Sequence, residues 1–266
     1  MTSTPPPSAP PPSTPPAAAP PAAARQPPPP PTPLPPLPSG PAGSVPEVIA
    51  RLEAIAAALP ETDGLSCFNR MYLTVTRQVA SRIGAGFFAD PEYMTRLDVV
   101  FANLYLAAVE GWGRDPSEVS RSWRVLISRR TDVDIAPMQF ALAGMNTHIN
   151  HDLCIAVVAT ARELGTTPDS GSHRDDFEKV NAVLHEMGEA IRESFETGII
   201  LELDRRIDGL DNLVANFSMT AARQVAWENA RTLWHLGDNR FLTGPFLDSL
   251  DRFVAFAGRS LLIPLG

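Results

Sequence analysis

Pro137-Met138-Gln139-Phe140-Ala141-Leu142-Ala143-Gly144-Met145-Asn146-Thr147-His148-Ile149-Asn150-His151-Asp152-Leu153-Cys154-Ile155-Ala156-Val157-Val158-Ala159 is apolar at both ends and polar in the middle. A proline in the first turn and Gly165 beyond the last mark the two ends of a helix over about 134–165. Apolar residues cover most of its faces, so it belongs at the centre of the fold with other helices around it. The polar centre is the exception. Imidazoles and carboxylates leave water only when they are paired or bound to an ion. The seven positions Asn146–Asp152 therefore hold either a satisfied core network or a working site.

The rest of the body reads outward from this helix. Residues 47–59 are amphipathic and end at Pro60, and 66–83 follow with an apolar stripe of Phe68, Tyr72, Val75, Val79 and Ile83. Asp90-Pro91-Glu92 is a helix start, with Asp90 as cap. That helix runs through Leu97, Val100, Phe101 and Leu104 to about Glu110, where Gly111 and Gly113 end it. Pro116 opens another, through Trp123 and Ile127. Helices over about 173–200, with a continuation over 201–213 past a kink at Gly198, and then 217–236 and 245–262 complete the pattern. No strand alternation or hairpin signal occurs. The expected fold is all-α: a single bundle of eight or nine helices around one long central helix.

Twenty-one of the 28 prolines lie in residues 1–46, with a single charge, Arg25. Such a segment buries too little apolar surface to offset its ordering entropy, so the expected division is a disordered Pro/Ala-rich tail over 1–46 and a helical domain over 47–266. Its Pro-Leu-Pro-Pro-Leu-Pro stretch at 33–38 is either a spacer or a ligand for a partner domain with an aromatic groove. The seven prolines of the body (60, 91, 116, 137, 168, 245, 264) all fall at expected helix boundaries. The net charge of −8 disfavours nucleic acid and anionic membrane surfaces. No uncharged apolar run is long enough for a transmembrane segment. Cys67 and Cys154 both sit in apolar helical contexts, as buried thiols in a reducing cytoplasm do. There is no glycine-rich phosphate loop and no Gly-x-Ser-x-Gly elbow, which removes the common nucleotide and serine-hydrolase readings.

Within the polar centre, His148 and Asp152 are spaced i,i+4 and share a helix face. Imidazole plus carboxylate suits a divalent metal or acid–base chemistry. Asp98 interrupts the apolar run Arg96-Leu97-Asp98-Val99-Val100-Phe101 and is the best third member; alternatively it pairs with Arg96 or Arg77. The candidate catalytic residues are His148, Asp152, Asp98 and Asn150, the first three doubling as metal ligands. Asn103, Asn146, Tyr105 and Asn181 are candidate substrate contacts. Asp176 is a second residue of its helix that can face the cluster, and His185 reads as a partly exposed helix residue. Arg223, Trp227, Arg231 and Trp234 recur at helical spacing. They are either core or the place of an arginine that clamps a substrate carboxylate.

The body resembles a bacterial family of all-helical proteins classed as a domain of unknown function. The likeness rests on Arg96–Asn103, Gly144–Leu153, and Asp176-Phe177 with Asn181, and it spans roughly 50–263. It implies the fold and the place of a site, but no reaction. A more distant likeness is to zinc-dependent phospholipases and single-strand nucleases, which are helical and use His-x-x-x-Asp on a helix. His148 and Asp152 fit that element, whereas the other His-rich elements of that group have no counterpart here. Two functions follow as expectations. One is an enzyme acting on a small or lipid-like molecule, by metal-assisted hydrolysis or acid–base chemistry. The other is a non-catalytic binding or scaffold protein whose His/Asn/Asp cluster is structural.

Overall fold

The sequence of caps and breakers produces helices in nearly every place expected. The fold is that of a computed structural model, which describes Met1 and residues 33–197 and 218–265, with side chains to 187 in the first span. Ser44 caps α1 (Val45–Ala58), and Asp63 caps α2 (Gly64–Gly84) by accepting from Leu65 N. Asp90 accepts from Tyr93 N at the start of α3 (Pro91–Arg114), with Pro91 in the first turn. A short 3-10 turn at Pro116–Glu118 leads to α4 (Arg121–Ile127), capped by Ser120. Next come α5 (Pro137–Thr147) and α6 (Leu153–Glu163), then α7 (His173–Thr197), α8 (Met219–Leu236) and α9 (Arg240–Leu261). No strand occurs among the described residues. The architecture is all-helical.

Three expectations change. α3 runs through Gly111 and Gly113, since a helix tolerates an isolated glycine at a cost of roughly 1 kcal/mol. Pro116 opens only a 3-10 turn; α4 starts at Arg121, where the Asp251 carboxylate of α9 accepts from the Arg121 and Ser122 amides. Pro245 lies inside α9 and not at its start. The carbonyl it leaves unbonded is that of Phe241, which is exposed and so reaches water. The tail over 2–32 and the helix expected over 201–213 lie outside the described residues.

The apolar faces bury into two connected clusters. One gathers Leu52 and Ile55 of α1, Phe68 of α2, Tyr105 of α3, Trp123 of α4 and Phe140 of α5. The other gathers Val79 of α2, Tyr93 and Leu97 of α3, Leu153 and Val157 of α6, Phe177 and Leu184 of α7, and Trp227 of α8. Phe101 and Met145 touch both. α5 packs on α2 and α9, whereas α6 packs on α3 and α8. Two glycines permit the close approach of α2 and α5. A Cβ on Gly64 would stand 2.3 Å from the Phe140 ring, and one on Gly144 would stand 2.3 Å from Phe68.

Between α5 and α6 the backbone makes one π turn, His148–Asp152, closed by Leu153 N donating to His148 O. The rod from Pro137 to Glu163 is thus the expected central helix with one residue over-inserted at its polar centre. Gly165 follows in the left-handed region at φ 65°, as expected of a residue ending the rod. Such single π turns inside α-helices concentrate at functional sites.

Residues 33–44 form neither helix nor strand and are held to the body. Asn103 clamps Ala42 through both of its backbone groups, at 2.8 and 2.9 Å. Glu110 accepts from Gly40 N, Arg51 donates to Ser39 O and Gly40 O, and Arg130 donates to Pro33 O. Leu34 and Leu37 rest on the first cluster. The helical domain's own surface thus takes up the Pro-Leu-rich stretch that the sequence offers to a partner's groove.

Candidate active site

The π turn decides what its side chains meet. Asp152, 3 % exposed, accepts three hydrogen bonds: from His148 Nδ1 and Trp123 Nε1 on Oδ2, both 2.9 Å, and from His151 Nδ1 on Oδ1 at 2.7 Å. Burial opposes the Asp152 charge, but the His148 and His151 hydrogen bonds outweigh it and hold the carboxyl down at about 2. Asp152 is an anion at every ordinary pH. For His148 burial wins over the same contact and lowers its pKa, so the ring is neutral. For His151 burial is outweighed by Asp152 and then Asp251, which raise it. The cluster resolves into three groups: a carboxylate, a neutral imidazole in front and a second imidazole behind that favours the charged form.

Because Nδ1 of His148 donates to Asp152, its proton is fixed there and Nε2 carries the lone pair. Nε2 is buried and has no hydrogen-bond partner. Aromatic rings hold the imidazole: Phe101 lies flat against it, and Tyr72 meets it edge-on at 4.6 Å.

His148 lines a crevice walled by α2, α3, the π turn, α7 and the start of α8. Most of the wall is apolar, including Val75, Val79, Leu97, Phe101, Val180 and Leu184. Four polar side chains interrupt it besides Thr76: His148, Asp98, Tyr72 and Arg223. Asp98 Oδ2 is buried without a partner, and burial pushes its carboxyl up to about 7. Neither arginine weighed as its partner reaches it, since Arg96 bonds Glu163 and Arg77 bonds Glu53. Burial first, and the Asp98 charge second, drive the Tyr72 phenol well above its usual range, so it remains a donor.

The structure brings His148 and Asp98 to one crevice and sets Asp152 behind His148. It does not bring the other candidates there. Asn150 donates to Asn146 Oδ1 at 3.2 Å, and Asn146 donates to Val254 O, tying the rod to α9. Asn103 clamps Ala42. Tyr105 donates to Asn69 Oδ1 behind the aromatic layer. Asn181 is one step removed, accepting from Arg223 Nε at 2.8 Å. Asp176 is turned away: its carboxylate accepts from the Ala89 and Asp90 amides and from Lys179. His185 is exposed, as expected. Trp227 is core, and Arg231 pairs on the surface with Asp169 and Glu228.

A divalent ion on His148, Asp152 and Asp98 does not fit this arrangement. The facing atoms of His148 and Asp152 are spent on each other, and both Asp152 oxygens already accept. Among the described residues no group of three His, Cys, Asp or Glu side chains is placed to hold a metal. The likeness to the zinc enzymes is reduced to the spacing alone.

Sequence reasoning missed Tyr72 and Trp123, both read as apolar stripe residues. A hydroxyl or indole N–H at a buried position was the available signal.

No curated protein and no solved structure gives a match. A family model does, over residues 45–264, from the first residue of α1 to three residues beyond the end of α9. The chain belongs to the family of unknown function DUF5995.

Proposed function

We propose that this protein is an enzyme of acid–base chemistry that hydrolyses an ester or acyl bond in a small, lipid-like molecule, with His148 as general base. The observation that carries this reading is the buried, unpartnered Nε2 of His148 in a crevice wall, backed through Nδ1 by an ionised Asp152. A purely structural network satisfies its members, because an unpaired buried polar atom costs about 1–3 kcal/mol. Asn146 and Asn150 are such satisfied members. His148 and Asp98 are not.

In this mechanism Nε2 takes a proton from water as the oxygen attacks the acyl carbon. The Asp152 carboxylate stabilises the imidazolium that forms without accepting its proton. Asp98, which titrates near neutrality, gives a proton to the leaving oxygen. The Tyr72 hydroxyl donates to the oxygen on which charge develops. Asp152 is a positioning residue and does not touch substrate. Two free, buried cysteines support a reducing cytoplasmic setting. None of the described helices is long and apolar enough to cross a membrane.

The test is turnover of p-nitrophenyl esters of acyl chains from two to twelve carbons. His148→Ala should lower kcat/KM by about 10²-fold or more with the helical circular dichroism retained. Equal rates in the variant, or no turnover anywhere in the series, would overturn the hydrolytic reading.

A further inference from the structure

Among the described residues Arg223 of α8 is the one arginine or lysine in the crevice wall, and it is only 6 % exposed. Its Nε donates to Asn181 Oδ1 at 2.8 Å and Nη2 donates to Phe177 O at 2.6 Å. The guanidinium lies over the Phe177 ring, 4.1 Å from its centroid. All three partners are neutral. Among the described residues no carboxylate pairs with Arg223. A guanidinium has five N–H donors. Two are used here, and the Nη1 edge is left over. Burial alone lowers Arg223, to about 9, so it remains cationic at neutral pH. Burial alone also raises Asp98, so the two groups of one crevice stand too far apart to neutralise each other.

A buried charge without a counter-ion is expensive. The neutral partners hold Arg223 in place without cancelling its charge. The surrounding wall is hydrocarbon: Val180, Leu184 and Met219 near it, and Val75, Val79 and Leu97 from α2 and α3. A ligand that suits this wall has one anionic head and an apolar body.

We propose that Arg223 is the anchor for the carboxylate of a single-chain amphiphile, whose hydrocarbon fills the crevice toward His148. Asn181 and the Phe177 carbonyl are positioning groups that present the free edge of the guanidinium. This deepens the enzymatic reading by naming the substrate class, an aliphatic ester or acyl compound that also carries a free carboxylate, and it rests on the same crevice. A planar carboxylate matches the paired N–H groups of a guanidinium edge. The net charge of −8 repels anions in general, so selectivity for them must be local.

The experiment is isothermal titration calorimetry of the full chain with decanoate and with decanol, which share an apolar body and differ in the head. Decanoate should bind one to one, about tenfold or more tighter than decanol. Arg223→Met, which keeps the length and removes the charge, should lose that margin while binding decanol as before. Arg231→Met, on the exposed face of the same helix, should bind decanoate like the unaltered chain. Equal affinities for the two ligands in the unaltered chain would overturn the anchor, as would no binding of either, and neither result depends on a variant that folds. Retained decanoate preference in Arg223→Met would overturn it too. Decanoate binding without ester turnover removes only the hydrolytic reading. Turnover without decanoate preference removes only the anchor.

Discussion

The imidazole of His148 lies flat on the ring of Phe101, with centroids 3.6 Å apart and planes 8° from parallel. α3 thereby fixes the ring's plane while Asp152, one turn along the rod, fixes its rotation within that plane. Both constraints are needed for Nε2 to point in one direction.

Replacing Asp152 by Asn tests the second constraint. The amide of Asn can donate to Nδ1, which moves the imidazole proton to Nε2 and removes the base. Turnover should fall by about 10²-fold or more. Nitrogen-15 chemical shifts should show His148 changing tautomer. A catalytic loss with the tautomer unchanged would indicate that Asp152 matters through packing instead.

Asp98→Asn addresses linkage. The folded state raises this carboxyl from 3.8 to about 7, so it binds the proton more tightly than the unfolded chain does. Folding is therefore favoured below pH 3.8 relative to high pH, and the advantage is lost as pH rises through 7. The Asn variant has no charge to bury. It should be more stable than the unaltered chain at pH 8.5, by on the order of 4 kcal/mol, and the margin should narrow toward pH 4.5. Asp152 has the opposite sign: its stabilisation is present above 3.8 and fades as pH falls through about 2. A pH-independent difference for Asp98→Asn would mean that the carboxyl is hydrated.

Gly144→Ala should destabilise by about 1–3 kcal/mol in urea denaturation, because the new methyl would meet the Phe68 ring. Gly113→Ala in α3 meets nothing within 4 Å and should be neutral or stabilising by up to about 1 kcal/mol. Similar responses at the two positions would contradict the close approach of α2 and α5.

Residues 33–44 should contribute to stability although their composition argues for none. Removing residues 1–32 should leave the melting temperature almost unchanged. Removing 1–44 leaves Asn103 without its backbone partners and uncovers the apolar surface beneath Leu34 and Leu37. The further loss should be several degrees by thermal scan. Equal melting temperatures for the two truncations would show that the segment is held only loosely.

The helices were legible because caps and breakers are local: Ser44, Asp90, Pro137 and Gly165 each act within one turn of themselves. Asp98 and His148 could be singled out because each is polar within an apolar run. Asn103 and Asn146 carried the same signal yet serve the backbone, and Asn150 serves the Asn146 side chain. A sequence shows that a buried amide has a partner, but not whether that partner is a ligand or a carbonyl 61 positions away. Pro245 misled because a proline near a helix start is tolerated where the carbonyl it deprives faces water. For the Pro-Leu stretch, composition reports what a segment can bury alone, not what a neighbouring surface offers it.

The π turn has a consequence for any redesign of this scaffold. Each residue of an α-helix advances the azimuth by about 100°, so the supernumerary residue in His148–Asp152 rotates everything after it by that angle relative to everything before. α5 can then point its inner side at α2 and α9, while α6 points its own at α3 and α8. Deleting one residue here would do more than disturb the dyad. It would swing Ala156, Val157 and Ala161 out of their seats together, as if half the rod had been unscrewed.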